Sequence, residues 1–132
     1  MKKWSVGDWI YLFDPTDKEE SKEVHKISEV RENGIKVSMY NDIYEEDWFE
    51  PIPITAEMLE KNGLMRVTEE KGYEAYCCND FLIRRSKFSC TDWWQVDVHY
   101  KQYVAHLSGY IQYVHQLQHL LTINECDKKI EL

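Results

Sequence analysis

The dipeptide Asn33-Gly34 constrains the fold of this chain most strongly, because β-branched residues flank it on both sides. Asn and Gly tolerate the positive φ angles of a tight turn, and such a turn joins two adjacent antiparallel strands. The sequence therefore predicts a hairpin formed by Glu23–Arg31 and Ile35–Tyr40. The first half of the chain is expected to be built on antiparallel sheet rather than on helix.

Further strands are predicted on either side of this hairpin. Residues 4–13 carry an aromatic side chain at every second position from 9 to 13, and Ile43–Glu50 follows a turn at Asn41-Asp42. Alternation of this kind is typical of a half-buried strand. Short strands at this spacing predict a small curled antiparallel sheet, similar to an SH3-like half-barrel.

The segment Pro51-Ile52-Pro53-Ile54 cannot lie in the centre of a sheet, since each proline lacks the N–H that a ladder requires. It predicts the end of the first sheet and leads into a short helix, Ala56–Lys61, with Thr55 as N-cap and Gly63 beyond the C-terminus. Residues 1–54 form the strand-rich part, and residues 55–132 the remainder, of a single predicted domain spanning 1–132.

After this helix the sequence returns to short apolar runs separated by turn residues. The strands predicted for a second antiparallel sheet are Leu64–Glu69, Tyr73–Cys78, Phe81–Phe88, Trp93–His99 and, at an edge, Tyr103–Leu107. Ser108 is then expected to cap a C-terminal amphipathic helix, Tyr110–Ile123, whose apolar stripe packs on this sheet. The predicted fold class is therefore α+β.

Composition and charge narrow the class of protein. The 132 residues are 43% hydrophobic and 14% aromatic, which is typical of one globular domain and excludes general disorder. The net charge is −8, and residues 1–62 hold 15 acidic against 8 basic side chains, which disfavours binding to phosphate backbones. Because neither a signal peptide nor a membrane-spanning apolar run is evident, the expected location is the cytoplasm, with reduced cysteines and no membrane partner.

The polar side of the C-terminal helix has an unusual composition. From Val98 to Asn124, the only residue with a formal charge is Lys101. Neutral amides and imidazoles suit a covered face, because they form hydrogen bonds without the desolvation of an ion. We therefore expect this face to be covered, either by its own domain or by a second copy of the chain. The candidate interaction residues on it are His115, Gln116, Gln118 and His119.

A metal site is one alternative reading of the same helix. His115 and His119 are four residues apart and therefore lie on one helical face, a spacing that zinc sites use. In HExxH sites a glutamate follows the first histidine, whereas here Gln116 does, and an amide cannot act as a general base. Two histidines that only form hydrogen bonds within the fold are the simpler interpretation.

A nucleic-acid-associated role is the second alternative. Arg84, Arg85 and Lys87 lie in the only basic run, and with nearby aromatic residues they resemble a platform for nucleic-acid bases. The acidic remainder of the chain favours a different interpretation, a charged edge strand that discourages aggregation.

Three segments resemble a group of small uncharacterised proteins from gut anaerobes and their mobile elements. The resemblance lies in Val6-Gly7-Asp8, in Pro51-Ile52-Pro53-Ile54-Thr55 and in Tyr113-Val114-His115-Gln116-Leu117-Gln118. After Gln118 the chain departs from that family, which continues with Asn and an aromatic-rich run. Since the family has no known activity, the resemblance implies a shared fold and directs attention to His115, Gln116 and Gln118.

The sequence contains no Gly-rich phosphate loop and no nucleophile elbow, so it predicts no catalytic residue and no cofactor. The leading hypothesis is a non-enzymatic protein-interaction module that uses the neutral face of its last helix. Its expected partner is a protein, a second copy of the chain included.

Overall fold

A computed structural model describes residues 4–17, 21–67, 72–78, 81–86, 93–99, 106–123 and 129–132. Over these residues the fold is α+β and mostly sheet, with a four-stranded and a five-stranded antiparallel sheet and two α-helices, which confirms the predicted fold class. The chain divides into two compact units, Met1–Ile52 with Leu132, and Pro53–Glu131. Neither helix in the described ranges has the length and apolar character needed to cross a membrane.

The first unit contains the predicted hairpin. Its strands are β1 (Trp9–Leu12), β2 (Glu23–Arg31), β3 (Gly34–Val37) and β4 (Phe49–Pro51), arranged in the order β3-β2-β1-β4. Arg31 pairs with Gly34, so the two-residue turn is Glu32-Asn33 and Gly34 begins β3. The hairpin prediction is confirmed, with the turn one residue earlier than the Asn-Gly pattern indicates and with the second strand ending at Val37 rather than at Tyr40.

The continuous strand predicted for Ile43–Glu50 is wrong. Tyr44 forms an isolated bridge with Ile35 of β3, a 3₁₀ turn covers Glu46–Trp48, and only then does β4 pair with β1. This segment runs from the edge strand β3 to β4 at the opposite edge of the sheet. It therefore cannot pair continuously with one strand. The likeness of this sheet to an SH3 half-barrel stays a prediction.

Aliphatic side chains, together with Trp4 and Phe49, fill the core of the first unit. Ile10 and Leu12 of β1 are buried, whereas the aromatic residues between and beside them are half-buried on the opposite face. The buried cluster consists of Trp4, Ile10, Leu12, Ile27, Ile35, Val37 and Phe49. Burial of each such side chain stabilises the fold by about 1.5–3 kcal/mol.

The second unit begins at Pro53, within the proline segment, and continues into α1 (Ala56–Lys61), which has the predicted bounds. The Thr55 hydroxyl accepts a hydrogen bond from the Met58 N–H at 3.1 Å, and Gly63 follows the helix with φ of 79°. Pro51 lies in β4, which is an edge strand as its missing N–H requires.

A five-stranded antiparallel sheet makes up most of the second unit. Its strands, in spatial as well as chain order, are β5 (Met65–Val67), β6 (Tyr73–Cys78), β7 (Phe81–Ser86), β8 (Trp94–His99) and β9 (His106–Ile111). The arginine-bearing β7 pairs with both β6 and β8 and is the central strand, so the edge-strand interpretation of the basic run is wrong. Residues 103–105 of the predicted edge strand lie outside the described residues.

The helix predicted for Tyr110–Ile123 begins later than expected. Tyr110 and Ile111 belong to β9 and pair with Gln95 and Trp94, and α2 comprises Val114–Ile123, so Ser108 is not a helix cap. Hydrogen bonding along the ladder outweighs the helical spacing of these two residues. The apolar stripe itself is confirmed by the buried side chains of Val114, Leu117 and Leu121.

Candidate functional site

The four residues predicted to form an interaction surface on the last helix have different environments. His115 is buried, Gln116 and Gln118 are half-buried, and His119 is exposed. The polar side of α2 is therefore partly covered by the protein's own unit at His115, and its accessible part lies at Gln118 and His119.

Gln116 serves the start of α2. Its Oε1 accepts hydrogen bonds from the backbone N–H groups of Gln112 at 2.9 Å and Tyr113 at 3.0 Å. A glutamine at the third helical position that reaches back to the N-cap N–H is one half of a capping box. This role explains an amide at position 116 without a partner protein, although the sequence suggested an interaction role.

The two histidines of α2 lie edge to face. Their ring centroids are 6.0 Å apart at an interplanar angle of 83°, and the His115 ring stacks on Tyr113 at 6.0 Å and 13°. Within the described part of the chain, no group of three or more His, Cys, Asp or Glu side chains is arranged to hold a metal ion. The metal-binding role of His115 and His119 stays a hypothesis.

Arg84 and Arg85 point to opposite faces of the central strand β7. On one face, Arg84 Nε donates to Gln95 Oε1 at 3.3 Å, and the same atom lies 3.9 Å from Asp97 Oδ2. On the other face, Arg85 donates to Glu74 at 3.1 Å and its guanidinium lies 4.4 Å from the centroid of the Trp94 ring.

Each of these two cations is thus paired with a carboxylate of a neighbouring strand, which reduces the positive potential that a phosphate would meet. Lys87, the third member of the basic run, lies outside the described residues. The nucleic-acid role stays a hypothesis that these pairings do not favour.

The sheet register places a set of residues together that the sequence did not associate with one another. We call the side of the sheet that carries Arg84 the Arg84 face. Its described members, at alternate positions of the strands, are Met65, Val67, Tyr73, Ala75, Cys77, Leu82, Arg84, Ser86, Gln95, Asp97 and Tyr110. Cys77 lies on it and Cys78 on the opposite face, as the strand prediction required.

Large side chains are exposed on the Arg84 face. The exposed fractions are 71% for Met65, 44% for Tyr73 and 68% for Tyr110. At its centre the Arg84–Asp97 pair and Gln95 form a polar group with no net charge, and Asp97 is buried. Tyr110 was not predicted as a member of this surface because the sequence assigned it to the helix. Tyr110 and the buried Ile111 instead alternate on β9, opposite Gln95 and Trp94 of β8.

Comparison with protein-family models, curated proteins and solved structures found no match to this chain.

Proposed function

We propose that this chain is a non-enzymatic protein-interaction module that binds a second copy of itself through the Arg84 face. The observation that carries the proposal is the combination of exposed Tyr73, Tyr110 and Met65 around a neutral polar centre. Tyrosine, methionine and arginine are enriched in protein interfaces, whereas lysine and glutamate are depleted. The described members of the Arg84 face follow this pattern, since they include neither lysine nor glutamate.

Charge supports a second copy as the partner. The chain carries a net charge of −8, so two copies repel one another, and this repulsion is smallest where they meet through a surface with no net charge. The Arg84 face has one cation and one carboxylate among its described side chains, and these are 3.9 Å apart. Two such faces related by a two-fold axis can pack sheet on sheet without bringing like charges together.

The polar side of α2 is the alternative surface for self-association. Of its four residues, Gln118 and His119 remain accessible enough to contact a partner directly. This version predicts that binding depends on His119 and not on Tyr110. We also propose a cytoplasmic location. For the first unit we propose an SH3-like half-barrel, which is supported by the pairing of β4 with β1.

Sedimentation velocity from about 1 to about 500 µM tests the proposal, since interfaces of ordinary size and modest affinity dissociate in this range. We expect a reversible dimer whose dissociation constant rises about 30-fold in Tyr110→Ser, the effect of losing about 2 kcal/mol at a central aromatic residue. The control is Val6→Ser, which removes a side chain that is 64% exposed on the first unit and should leave the dimer unchanged.

A third variant, His119→Ser, separates the two surfaces. A dimer weakened by His119→Ser but not by Tyr110→Ser would move the interface to α2. A chain that stays monomeric over the whole concentration range contradicts self-association on either surface.

A further inference from the structure

A row of aromatic rings runs along one side of the first unit. The centroids of His25 and Tyr40 are 5.0 Å apart, those of Tyr40 and Tyr44 are 6.5 Å apart, and those of Tyr44 and Trp48 are 5.4 Å apart. Tyr40 is 39% exposed, Tyr44 and Trp48 are half-buried, and His25 is 7% exposed. The row therefore leads from a buried imidazole to ring surfaces that solvent reaches, and we call these four residues the aromatic row.

Glu23 anchors the buried end of the aromatic row. Its Oε2 accepts a hydrogen bond from the Tyr40 hydroxyl at 3.0 Å and lies 2.9 Å from His25 Nε2. In the tautomer in which Nε2 donates to Glu23, His25 Nδ1 is left as an acceptor. Within the described residues this buried nitrogen has no hydrogen-bond partner. This unsatisfied acceptor lies at the buried end of the aromatic row.

The segment that carries the aromatic row is strongly acidic. Residues 41–51 contain five carboxylates and no basic side chain. Of these carboxylates, Glu50 pairs with Lys22, whereas within the described ranges Asp42, Glu45, Glu46 and Asp47 form no ion pair. Four exposed negative charges therefore lie on the segment that also carries Tyr44 and Trp48.

Elsewhere this chain places its own cations over aromatic rings. Lys26 lies over Trp9 at 5.6 Å, and Lys22 lies over Phe13 at 5.6 Å. By contrast, no described lysine or arginine lies over Tyr44 or Trp48, although both rings lie on the most acidic segment. The face of an aromatic ring attracts a cation, and a nearby carboxylate adds to that attraction.

We infer that the aromatic row and the carboxylates beside it bind a lysine- or arginine-rich segment of a partner protein. A basic side chain supplies the cation for the Tyr44 and Trp48 rings and the N–H donors for the surrounding carboxylates, and the excess negative charge of the first unit attracts the remainder of the segment. This site is on a different unit from the Arg84 face, so the inference is independent of self-association.

The ionisation of Tyr44 is consistent with this negative surrounding. Burial first, and then the carboxylates of Asp42 and Glu23, raise the pKa of the Tyr44 hydroxyl above its ordinary value of 10.0. A potential that disfavours the phenolate favours a cation at the same place.

Fluorescence anisotropy with a labelled peptide of alternating lysine, arginine and glycine tests the inference on the full chain, with a glutamate-glycine peptide as the negative probe. We expect the basic peptide to bind and the acidic one not to bind. Tyr40→Leu removes one ring and its hydroxyl contact to Glu23, and should weaken binding about 3- to 30-fold. Tyr40→Phe keeps the ring and should retain most of the affinity. The matched control is Tyr11→Leu, which removes a half-buried ring and should have no effect. Tyr11 lies on the face of β1 opposite to Ile10, and Ile10 is the residue that pairs with His25.

A second pair of variants isolates charge. Asp42→Asn and Glu32→Gln each remove one exposed negative charge from the first unit. Of these two carboxylates, only Asp42 contributes to the raised pKa of the Tyr44 hydroxyl. We expect Asp42→Asn to weaken binding at least twice as much as Glu32→Gln, at every salt concentration at which binding is measurable. Equal losses in the two charge variants together with no effect of Tyr40→Leu would show attraction by net charge alone and would overturn the site. Absence of binding at low salt, with circular dichroism spectra unchanged, would overturn it as well.

Discussion

At the scale of single residues, Gly34 shows how a turn depends on space as well as on backbone angle. It begins β3 with φ of 146°, a conformation that side-chain-bearing residues rarely adopt. A Cβ at this position would lie 2.5 Å from Ile43 Cγ2 and 2.6 Å from the Tyr44 carbonyl oxygen. The second of these contacts is with backbone and cannot be relieved by a rotamer change. Gly34 therefore permits the bridge between Ile35 and Tyr44.

Gly34→Ala should lower the free energy of unfolding by about 2–4 kcal/mol, because backbone strain adds to the steric clash. Urea denaturation followed by tryptophan fluorescence measures the change. The control is Gly109→Ala in β9, where an added Cβ meets nothing within 4 Å and the expected change is within about 1 kcal/mol of zero. Similar losses in the two variants would contradict the role assigned to the close approach at Gly34.

The carboxyl group of Glu23 is expected to make the free energy of unfolding depend on pH. Hydrogen bonds from His25 and then from Tyr40 hold the pKa of this carboxyl below its ordinary value of 4.5. A carboxyl whose pKa is lowered by folding contributes stability that is present above the unfolded pKa and is lost as the pH falls through the folded pKa. The native chain should therefore be more stable than Glu23→Gln at neutral pH, and the difference should shrink below about pH 4.5. Urea denaturation at a series of pH values measures it, with Glu32→Gln as control; a difference that is constant with pH contradicts the assignment.

At the scale of elements, α2 begins where strand pairing ends. Ile111 still pairs with Trp94, Ile54 N–H donates to the Gln112 carbonyl at 3.0 Å, and Pro53 bridges Tyr113. The chain thus forms β-type contacts up to Tyr113, and the helix starts at the next residue. The Gln116 side chain accepts hydrogen bonds from the N–H groups of Gln112 and Tyr113 at this start. The start of this helix is decided by contacts with segments distant in sequence, the strand β8 and residues 53 and 54.

Replacing the capping amide separates its structural role from an interaction role. Gln116→Ala removes the acceptor for two backbone N–H groups and should cost about 1 kcal/mol in the free energy of unfolding. Gln116→Glu keeps an acceptor and adds a negative charge at a helix N-terminus, so it should be as stable as the native chain or more so. Equal stability of the alanine and glutamate variants would show that the cap contributes little.

At the scale of the whole molecule, each of the two units has buried side chains of its own. The core cluster of the first unit contains only residues between Trp4 and Phe49. In the second unit, Tyr76 lies 6.3 Å from the Trp94 ring, and the Trp94 Nε1–H donates to the Ile54 carbonyl at 3.2 Å. The Trp94 hydrogen bond tethers the proline segment to the sheet. The Tyr76 hydroxyl donates to Glu60 at 3.1 Å and tethers α1 to the same sheet.

Ile10→Ala and Ile83→Ala test whether the units lose structure separately. Both isoleucines are fully buried, one in each unit, and each truncation should cost about 2–5 kcal/mol. We expect hydrogen exchange measured by mass spectrometry to increase within the first unit for Ile10→Ala and within the second for Ile83→Ala. Exchange that rises along the entire chain in both variants would show instead that it unfolds as one domain, as the sequence predicts.

The sequence by itself determined the elements whose causes are local. The sequence was sufficient for the hairpin between β2 and β3, the bounds of α1 and the strand Tyr73–Cys78. These follow from turn residues, a capping side chain and short-range alternation, all of which lie within a few residues of the element. The apolar stripe of α2 was predictable for the same reason.

Only the tertiary structure decided which residues share a surface. Strand pairing turned Tyr110 from a predicted helical residue into an exposed member of the Arg84 face, placed β7 at the centre of its sheet and gave Arg84 and Arg85 carboxylate partners on adjacent strands. The packing of the first unit likewise joined Glu23 and His25 to Tyr40 across 17 and 15 positions of the chain. These arrangements depend on the register between distant segments, and periodicity along one segment carries no information about the register of another.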